Sequence, residues 1–460
     1  MSRLPLGWES APLKELVSGD GLFADGDWVE SKDQDPNGGI RLLQLADVGD
    51  GRFLDKSCRY INQEKFLELR CTELQTNDVL VARMPDPLGR ACLLPMLDQR
   101  CVTVVDVAVI RPGEDGVNCK WLVHGINSPY MRRAMENSSS GTTRKRISRG
   151  NLGELLVKVP PLTEQTRIAD KLDTVLTRVD ACRDRLARVA PLLKRFRQSV
   201  LAAATSGRLT EDWRDGAEVE WKACCLGDLL DGKPRNGYSP KAVDYETDVR
   251  SLTLSATTTG KFLGEHSKFI DEKFPPDSHL WLKPGDVLVQ RANSLEYVGV
   301  SAIFDGEPDT FIYPDLMMKC QPNKLTTSRF LHLVLSSEPV RNYFRSNATG
   351  TAGNMPKINQ QTVISAPCRL PPLTEQTEIV RRVETLFAFA DRLEARLKAA
   401  QTAADRLTPA LLAKAFRGEL VPQDPNDEPA AELLKRLAAS RDAAPKAKRG
   451  RRSATVDTTS

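Results

Sequence analysis

The stretch PPLTEQT occurs twice, at Pro160–Thr166 and again at Pro371–Thr377. The second copy begins 211 residues after the first, counted from Pro160 to Pro371. A seven-residue identity at that distance indicates a duplicated unit rather than a chance match in a biased segment. The duplication therefore sets the frame for the rest of the chain.

A heptad pattern follows each copy. Apolar residues recur alternately four and three positions apart, and every position keeps the same offset of 211. They are Ile168, Leu172, Val175, Val179, Cys182, Leu186, Val189, Leu193, Phe196 and Val200 in the first copy, and Ile379, Val383, Leu386, Ala390, Leu393, Leu397, Ala400, Ala404, Leu407 and Leu411 in the second. This spacing is typical of the buried seam of a coiled-coil helix. We call these positions the seam. We expect Cys182 to be a small buried seam residue, and Pro191 and Pro409 to kink or break their helices.

The segments before the helices repeat more weakly. Asn77–Arg83 (NDVLVAR) matches Gly285–Arg291 (GDVLVQR), a turn followed by a strand that ends in arginine. IRLLQL at Ile40–Leu45 matches VRSLTL at Val249–Leu254, and SGTTRKRI at Ser140–Ile147 matches TGTAGNMPKI at Thr349–Ile358. Strand patterns dominate, with short helices predicted over Leu122–Met135 and Ser328–Phe344. Each globule is therefore predicted to be α+β.

The predicted order is a globule at 1–159, a helix at 160–215, a second globule at 216–370, a second helix at 371–426 and a tail at 427–460. The last thirty residues hold eight basic and three acidic side chains, so we expect this tail to be disordered. If a pseudo-two-fold axis relates the repeats, the two seams meet and the helices are antiparallel. Forty residues of helix span roughly 60 Å, a separation suited to a repetitive partner such as DNA.

Composition excludes few classes of protein. The chain has 460 residues and a net charge of only +4, so global basicity does not announce a nucleic-acid partner. The N-terminus lacks the apolar core of a signal peptide, and no apolar run reaches the ~18 residues of a membrane span. The ten cysteines form no Cys-x-x-Cys pair or zinc-type cluster. We therefore expect a cytoplasmic protein without a membrane association.

The paired PPLTEQT helices, together with Lys194–Trp213 (KRFRQSVLAAATSGRLTEDW) and AFRGELVPQDPNDEPA at the end of the second helix, resemble the specificity subunits of type I restriction-modification enzymes. The resemblance covers nearly the whole chain. It implies two target-recognition domains that each read one half of a bipartite, asymmetric DNA site, and helices that set the gap and dock two methyltransferase subunits. Restriction subunits are the further partners that it implies.

Candidate DNA contacts lie in the two matched loops and at the two strand ends. Glycine and threonine allow backbone amides to approach phosphates, and basic side chains neutralise them. The candidates are Thr142, Thr143, Arg144, Lys145 and Arg146 in the first loop, Thr351, Asn354 and Lys357 in the second, and Arg83 and Arg291 at the strand ends. A solvated basic turn remains the alternative for the loops, and a structural ion pair for the two arginines. Gln44 and Thr253 fit satisfied core polar residues better than DNA contacts. The candidate subunit-interface residues are Ile168, Leu172, Val175, Val179, Leu186, Ile379, Val383, Leu386, Leu393 and Leu397.

The sequence carries no catalytic signature. It lacks the Gly-x4-Gly-Lys-Ser/Thr phosphate loop and the Asn/Asp-Pro-Pro-Tyr/Phe tetrapeptide of amino-methyltransferases. We therefore expect no catalytic residue, metal or cofactor in this chain, with S-adenosylmethionine, ATP and Mg²⁺ on partner subunits. Two alternatives stay open, which are a self-contained methyltransferase or nuclease with divergent motifs and a coiled-coil scaffold that does not bind DNA.

Overall fold

The structure is a computed structural model that describes residues 4–85, 87–141, 144–214, 220–350 and 355–444. The chain divides into two compact units. Unit 1 comprises Met1–Arg185 and Ala400–Ser460, and unit 2 comprises Leu186–Ala399. The unit boundaries fall inside the two long helices rather than at the ends of the predicted segments, because each half of a helix packs beside a different globule.

The first globule combines small sheets with short helices. Its strands are β1 (Glu9–Pro12), β2 (Leu22–Asp25), β3 (Ile40–Leu43), β4 (Tyr60–Ile61), β5 (Val79–Ala82), β6 (Ala91–Leu93), β7 (Cys101–Thr103), β8 (Val107–Arg111) and β9 (Leu156–Val159). Its helices are α1 (Gln63–Glu68), α2 (Cys119–Ile126), α3 (Pro129–Asn137) and α4 (Arg149–Gly153). The sheets have the orders β1-β9, β2-β8-β5-β6 and β4-β3-β7. The long helix α5 (Leu162–Ser206) follows.

The second globule repeats this plan. Its strands are β10 (Lys222–Cys225), β11 (Arg235–Asn236), β12 (Ala242–Val243), β13 (Val249–Leu252), β14 (Ser267–Ile270), β15 (Val287–Gln290), β16 (Ser301–Ile303), β17 (Phe311–Ile312), β18 (Met317–Cys320) and β19 (Pro367–Leu370). Its helices are α6 (Ser328–Ser336), α7 (Glu338–Ser346) and α8 (Gln360–Ile364), followed by the long helix α9 (Leu373–Ala415) and by α10 (Ala430–Ala443).

The sheet topologies confirm the tandem duplication. The orders β10-β19, β11-β18-β15-β16 and β12-β14-β13-β17 match those of the first globule, with β12 as an added edge strand. Both globules also contain a parallel pair within an otherwise antiparallel sheet, β3 with β7 and β13 with β17. The fold is α+β in both globules, as predicted.

A buried aspartate anchors the central strand of each globule. Asp78 accepts a hydrogen bond from the Gln75 backbone N–H at 2.8 Å, and Arg111 contacts its carboxylate at 2.7 Å. In the second globule Asp286 accepts from the Lys283 backbone N–H at 2.9 Å and pairs with Lys319 at 3.3 Å. The repeated Asp-Val-Leu-Val sequence thus combines a closed turn with a strand that is buried on both faces.

The predicted short helices are each divided in two. Ser128 caps α3 through its side chain and Pro129 occupies the first turn of that helix; α7 likewise carries a proline, Pro339, in its first turn. The prediction of one continuous helix over Leu122–Met135, and of another over Ser328–Phe344, is therefore wrong. Ser128, directly before Pro129, and Ser337, two residues before Pro339, both have an extended backbone, and this ends the preceding helix in each globule.

The glutamates of the PPLTEQT copies connect each long helix to the start of its globule. Glu164 and Glu375 are both buried. The indole Nε1 of Trp8 donates to Glu164 Oε2 at 3.0 Å, and that of Trp221 donates to Glu375 Oε2 at 3.2 Å. The repeated Trp residue near the start of each globule therefore makes the same hydrogen bond to the motif glutamate in both copies.

The glutamines that follow make a second repeated contact. Gln165 Nε2 donates to the Pro160 carbonyl at 3.0 Å, and Gln376 Nε2 donates to the Pro371 carbonyl at 2.9 Å. Their Oε1 atoms accept hydrogen bonds from the loop before α2, at Asn118, and before α6, at Thr326. A buried amide requires such partners, which explains why the motif is identical in both copies.

The two long helices are antiparallel where they meet within unit 2. Arg197 of α5 pairs with Asp391 of α9 at 2.7 Å, whereas Thr210, further along the chain, donates to Glu375 at 2.7 Å. A shared apolar cluster lies between the helices. It contains Leu186, Val189, Leu193 and Phe196 of α5 and Ala390, Leu393 and Leu397 of α9. The two predicted seams therefore do meet.

The ends of the seam behave differently from its middle. Ile168 and Leu172 are fully buried in the core of the first globule, and Ile379 and Val383 are buried in that of the second. The expectation that Cys182 is buried is wrong, because its side chain is exposed. Two further seam positions, Ala400 and Leu407, are also exposed, so an apolar heptad residue need not be covered along the whole helix.

Both long helices continue through their prolines. Pro191 lies inside α5 and Pro409 inside α9, so the predicted break is absent at both positions. Both prolines are exposed, where water can satisfy the carbonyl groups that lose their helical partner. Left-handed glycines, Gly207 at φ +84° and Gly418 at φ +75°, follow the ends of the two helices.

The predicted disordered tail is wrong for residues 430–443, which form α10. Leu433 and Leu437 are buried in the core of unit 1, and the Gly19 backbone N–H donates to Ser440 Oγ at 3.0 Å. Arg167 also pairs with Asp427 just before α10. Burial of the apolar side chains of α10 therefore orders this segment despite its basic composition. Among the described residues, no helix combines the length and apolar character that a bilayer crossing requires.

We predict that Leu397→Asp destabilises the protein by at least several kcal/mol, because it places a carboxylate among apolar seam neighbours. Leu397 is 8% exposed. Leu407→Asp is the matched control on the same helix, since Leu407 is a seam position with 45% exposure, and it should cost under about 1 kcal/mol. Urea unfolding of the full chain measures both. Equal losses would show that the seam between the helices does not stabilise them.

A second prediction compares the two motif glutamates. Glu375 Oε1 also accepts from Thr210 and from Arg214 at 3.1 Å, whereas Glu164 Oε1 has no hydrogen-bond partner among the described residues. Glu375→Gln should therefore cost about 1.5–3 kcal/mol, the contribution of hydrogen bonds to a charged group. Glu164→Gln should leave the free energy of unfolding nearly unchanged near neutral pH.

Burial raises the pKa of Glu164 above its ordinary value. A raised folded-state pKa means that this carboxyl favours the native state at low pH and that the benefit is lost as pH rises through the folded pKa. Relative to Glu164→Gln, the wild type should therefore lose stability between pH 4 and pH 8, and the urea midpoints of both proteins measure this difference. An identical pH dependence in both proteins would contradict the assignment.

Candidate DNA interface

The two loops selected from the sequence are equivalent hairpins. In the first, the backbones of Ser140 and Arg146 exchange hydrogen bonds of 2.9 and 2.8 Å. In the second, Thr349 and Lys357 exchange bonds of 2.8 and 2.9 Å. We call these hairpins loop A (140–146) and loop B (349–357). The candidates Thr142, Thr143, Thr351 and Asn354 lie outside the described residues.

Each loop is attached to the strand-end arginine of its own globule. The Ile147 backbone N–H donates to the Arg83 carbonyl at 3.1 Å, and the Ile358 backbone N–H donates to the Arg291 carbonyl at 2.9 Å. The candidate loops and the candidate strand ends, which were chosen from separate motifs, therefore come together as one site in each globule.

The side chain of Arg83 is buried and has protein partners. It is 3% exposed, it lies 3.0 Å from Asp25, and it donates to the carbonyls of Ile147 and Val105. Burial lowers the pKa of its guanidinium. These contacts favour the structural ion pair over a DNA contact. Arg83 holds the base of loop A in place.

Arg291 occupies the matching position but is less enclosed. Its side chain is half-buried and donates to the Asp315 carbonyl at 3.3 Å. The residue equivalent to Asp25 is Asn236, which removes the carboxylate that neutralises the arginine in the first globule. Arg291 thus retains a charge that could face a phosphate, and it stays a candidate contact.

The basic residues of the loops fall into two groups. Arg144, Lys145 and Lys357 are exposed, and within the described part of the chain none of them has an ion pair. Arg146 instead pairs with Asp106 at 3.1 Å. Exposed cations without an ion-pair partner among the described residues are suited to phosphate neutralisation, so the first group is the stronger set of candidates.

Each globule has an exposed aromatic ring that is linked to its candidate site through neighbouring residues, and sequence reasoning missed both. Trp28 lines a cleft of about 400 Å³ together with Asp106, the ion-pair partner of Arg146. Tyr238 precedes Ser239, whose hydroxyl contacts Asp315 beside Arg291. Trp28 is 65% exposed and Tyr238 is 46% exposed. Exposed aromatic rings can stack on bases.

A repeated glycine gives the signal that would have found these rings. Gly26 and Gly237 are 211 residues apart, and an added Cβ would stand 2.2 Å from the Val104 carbonyl oxygen in one case and 2.1 Å from the Tyr313 carbonyl oxygen in the other. Both glycines therefore permit the same close backbone crossing. The aromatic residue lies two positions after Gly26 and one position after Gly237.

The remaining polar candidates differ between the globules. Thr253 Oγ1 donates to the His266 carbonyl at 3.0 Å and is satisfied, as expected. Gln44 lines the Trp28 cleft, and its Nε2 is buried without a hydrogen-bond partner among the described residues. The expectation of a satisfied Gln44 is therefore wrong. In the same cleft, burial raises the pKa of Asp27 to about 6. The described residues hold no group of three or more His, Cys, Asp and Glu suited to a metal ion.

Comparison with known proteins identifies the family. The model of the type I restriction modification DNA specificity domain matches residues 5–189 and 218–400. The specificity subunit of the type I restriction enzyme EcoKI from Escherichia coli K12 is 33% identical over 345 residues, covering 72% of this chain and 74% of that protein. The StySPI specificity subunit from Salmonella potsdam is 29% identical and covers 95% and 96%. The chain therefore belongs to the type I restriction-modification specificity subunits.

Solved structures share the fold. A chain from work on complex assembly and conformational transition of the type I R-M system has a TM-score of 0.70 at 19% identity, covering 91% of this chain and 100% of that one. The HsdS subunit from Thermoanaerobacter tengcongensis has a TM-score of 0.59 at 20% identity, covering 91% and 99%. At these identities the likeness concerns the fold alone.

We predict that Arg144→Ala combined with Lys145→Ala weakens DNA binding without loss of stability. Each lost phosphate contact should reduce the slope of log affinity against log salt by roughly 0.9, so the double variant should lose roughly 1.8. Fluorescence anisotropy of the full chain with duplex DNA at several salt concentrations measures this slope. Lys435→Ala combined with Arg436→Ala on α10 is the charge-matched control and should bind normally. An unchanged slope in the loop A variant would remove these residues from the interface.

Proposed function

We propose that this specificity subunit binds a bipartite, asymmetric site in double-stranded DNA and holds methyltransferase and restriction subunits on that site. The observation that carries the proposal is that loop A and loop B are attached in the same way to a repeated frame. The frame is the same in both globules, whereas the loops that it presents differ in charge and length. Two different DNA-contacting loops on the same frame are suited to recognising two different half-sites.

The difference between the loops is specific. Five residues, 141–145, separate the bridging residues of loop A, whereas seven residues, 350–356, separate those of loop B. Loop A carries the adjacent cations Arg144 and Lys145, and the described end of loop B carries Lys357 beside the exposed Met355. Phosphate contacts position a protein on DNA, and neighbouring side chains distinguish base edges.

The chain is proposed to be non-catalytic. Its candidate interface consists of cations, aromatic rings and buried structural ion pairs, a set that supports binding and positioning rather than group transfer. Methyl transfer from S-adenosylmethionine and ATP-driven restriction with Mg²⁺ are accordingly proposed for partner subunits. Incubation of the pure chain with DNA and labelled S-adenosylmethionine should give no methylated product. Methylation by the pure chain would support the alternative of a self-contained methyltransferase.

The site itself is tested by methylation mapping. Host DNA should carry a modified motif of two unequal half-sites with an unspecified gap, and the modification should disappear when the gene is deleted. Replacing loop A (141–145) by an unrelated sequence should change or abolish one half-site only, and replacing loop B (350–356) should affect the other. A continuous motif, or a motif in which both replacements alter the same half, would contradict the proposal.

A further inference from the structure

Two cysteines face each other across the sheet that closes the second globule. Strand β10 opens this globule and β19 ends it, and their antiparallel register places Cys224 directly opposite Cys368. The two Sγ atoms are 3.4 Å apart. Opposed residues of an antiparallel pair have Cα atoms about 4.5–5.5 Å apart, within the ~4.4–6.8 Å that a disulfide spans. The backbone therefore already satisfies the main requirement for a cross-strand bond.

The pair is accessible to small reagents. Cys224 and Cys368 both line a cavity of about 440 Å³ whose walls include Val334, Pro339 and Val340. Both side chains are half-buried rather than sealed in the core. A cavity of this size beside the thiols gives a low-molecular-weight disulfide or a trivalent arsenical a place to approach.

The pairing is specific to these two positions. Successive side chains of a strand point to opposite faces, so the neighbouring Cys225 points away from Cys368 and pairs in register with Pro367. In the first globule the equivalent sheet pairs Ala11 with Val157. The equivalent two-stranded sheets therefore carry a pair of thiols in the second globule and a pair of unreactive apolar side chains in the first.

We propose that Cys224 and Cys368 form a redox-active dithiol that closes into a cross-strand disulfide by exchange with a low-molecular-weight disulfide. The thiolate of one cysteine attacks a sulfur of the reagent, which forms a mixed disulfide and releases one small thiol. The second cysteine then attacks the protein sulfur of the mixed disulfide and releases the second small thiol. Two protein thiols are oxidised, one reagent disulfide is reduced, and the two thiol protons leave on the two small thiols.

Closure would fix the two ends of the second globule to each other. Cys368 lies three residues before Pro371, which opens the second PPLTEQT copy, and it lies 144 positions after Cys224 along the chain. A crosslink that closes so long a loop strongly restricts the conformations of the unfolded chain. Burial raises the pKa of both thiols. Because the thiolate is the attacking form, closure should be faster at pH 9 than at pH 7.

We treat the full chain with oxidised glutathione and digest it under non-reducing conditions. The digest should contain a crosslinked peptide that joins Cys224 to Cys368. Its mass should be that of the two reduced peptides together minus two hydrogens. Cys224→Ser and Cys368→Ser should each leave a glutathione adduct on the remaining cysteine. Cys225→Ser is the control and should form the same crosslink as the wild type. Recovery of both cysteines as free thiols or as separate glutathione adducts in the wild type would overturn the proposal.

A second measurement uses the wild-type chain alone and needs no variant to fold. Phenylarsine oxide bridges two thiols that lie close together. The reduced protein should therefore retain one bound arsenical after a wash with a monothiol. Peptide mapping should place this arsenical on Cys224 and Cys368. After oxidation, hydrogen exchange should slow at Lys222–Cys225 and Pro367–Leu370. Exchange at the equivalent strands Glu9–Pro12 and Leu156–Val159 should stay unchanged. An arsenical mapped elsewhere, or equal slowing in both sheets, would contradict the assignment.

Discussion

The hydrogen bond between a tryptophan at the start of each globule and a buried glutamate at the start of each long helix is the constraint on which the structure depends. Trp8 meets Glu164 and Trp221 meets Glu375 in the same geometry. A carboxylate buried at the first turn of a helix requires a donor and also benefits from the positive end of the helix dipole. This contact holds the start of the first strand of each globule against the first turn of its long helix.

The sequence was most informative where one physical requirement operates in both copies. The long helices, the seam in its central part and the matched loops followed from repetition, because packing and hydrogen bonding constrain both copies alike. It was less informative where a local pattern competes with tertiary context. Cys182 satisfies the heptad and is exposed, and α10 forms in a basic segment because Leu433 and Leu437 find a core to enter. Both outcomes depend on tertiary contacts rather than on the neighbouring residues in the sequence.

The candidate site shows the same division. Repetition located the strand ends and the loops, and the structure joins them in each globule. Whether an arginine there is free or paired depends on residues distant in sequence, as for Arg83 and Asp25. Trp28 and Tyr238 were missed because their positions differ by one residue between the copies, so a search for identical residues at a fixed offset passes over them. The glycines before them keep the offset because a backbone crossing tolerates no side chain.

The composition of unit 1 has a consequence for the order in which the protein can fold during synthesis. Unit 2 is contiguous, from Leu186 to Ala399, whereas the core of unit 1 includes Phe416, Leu433 and Leu437 from the far end of the chain. The ribosome delivers the N-terminal globule first, yet that globule must wait for the last helix before its apolar surface is covered. The globule made second can therefore be completed first. Until α10 has been synthesised, the nascent N-terminal part exposes an apolar surface suited to chaperone binding.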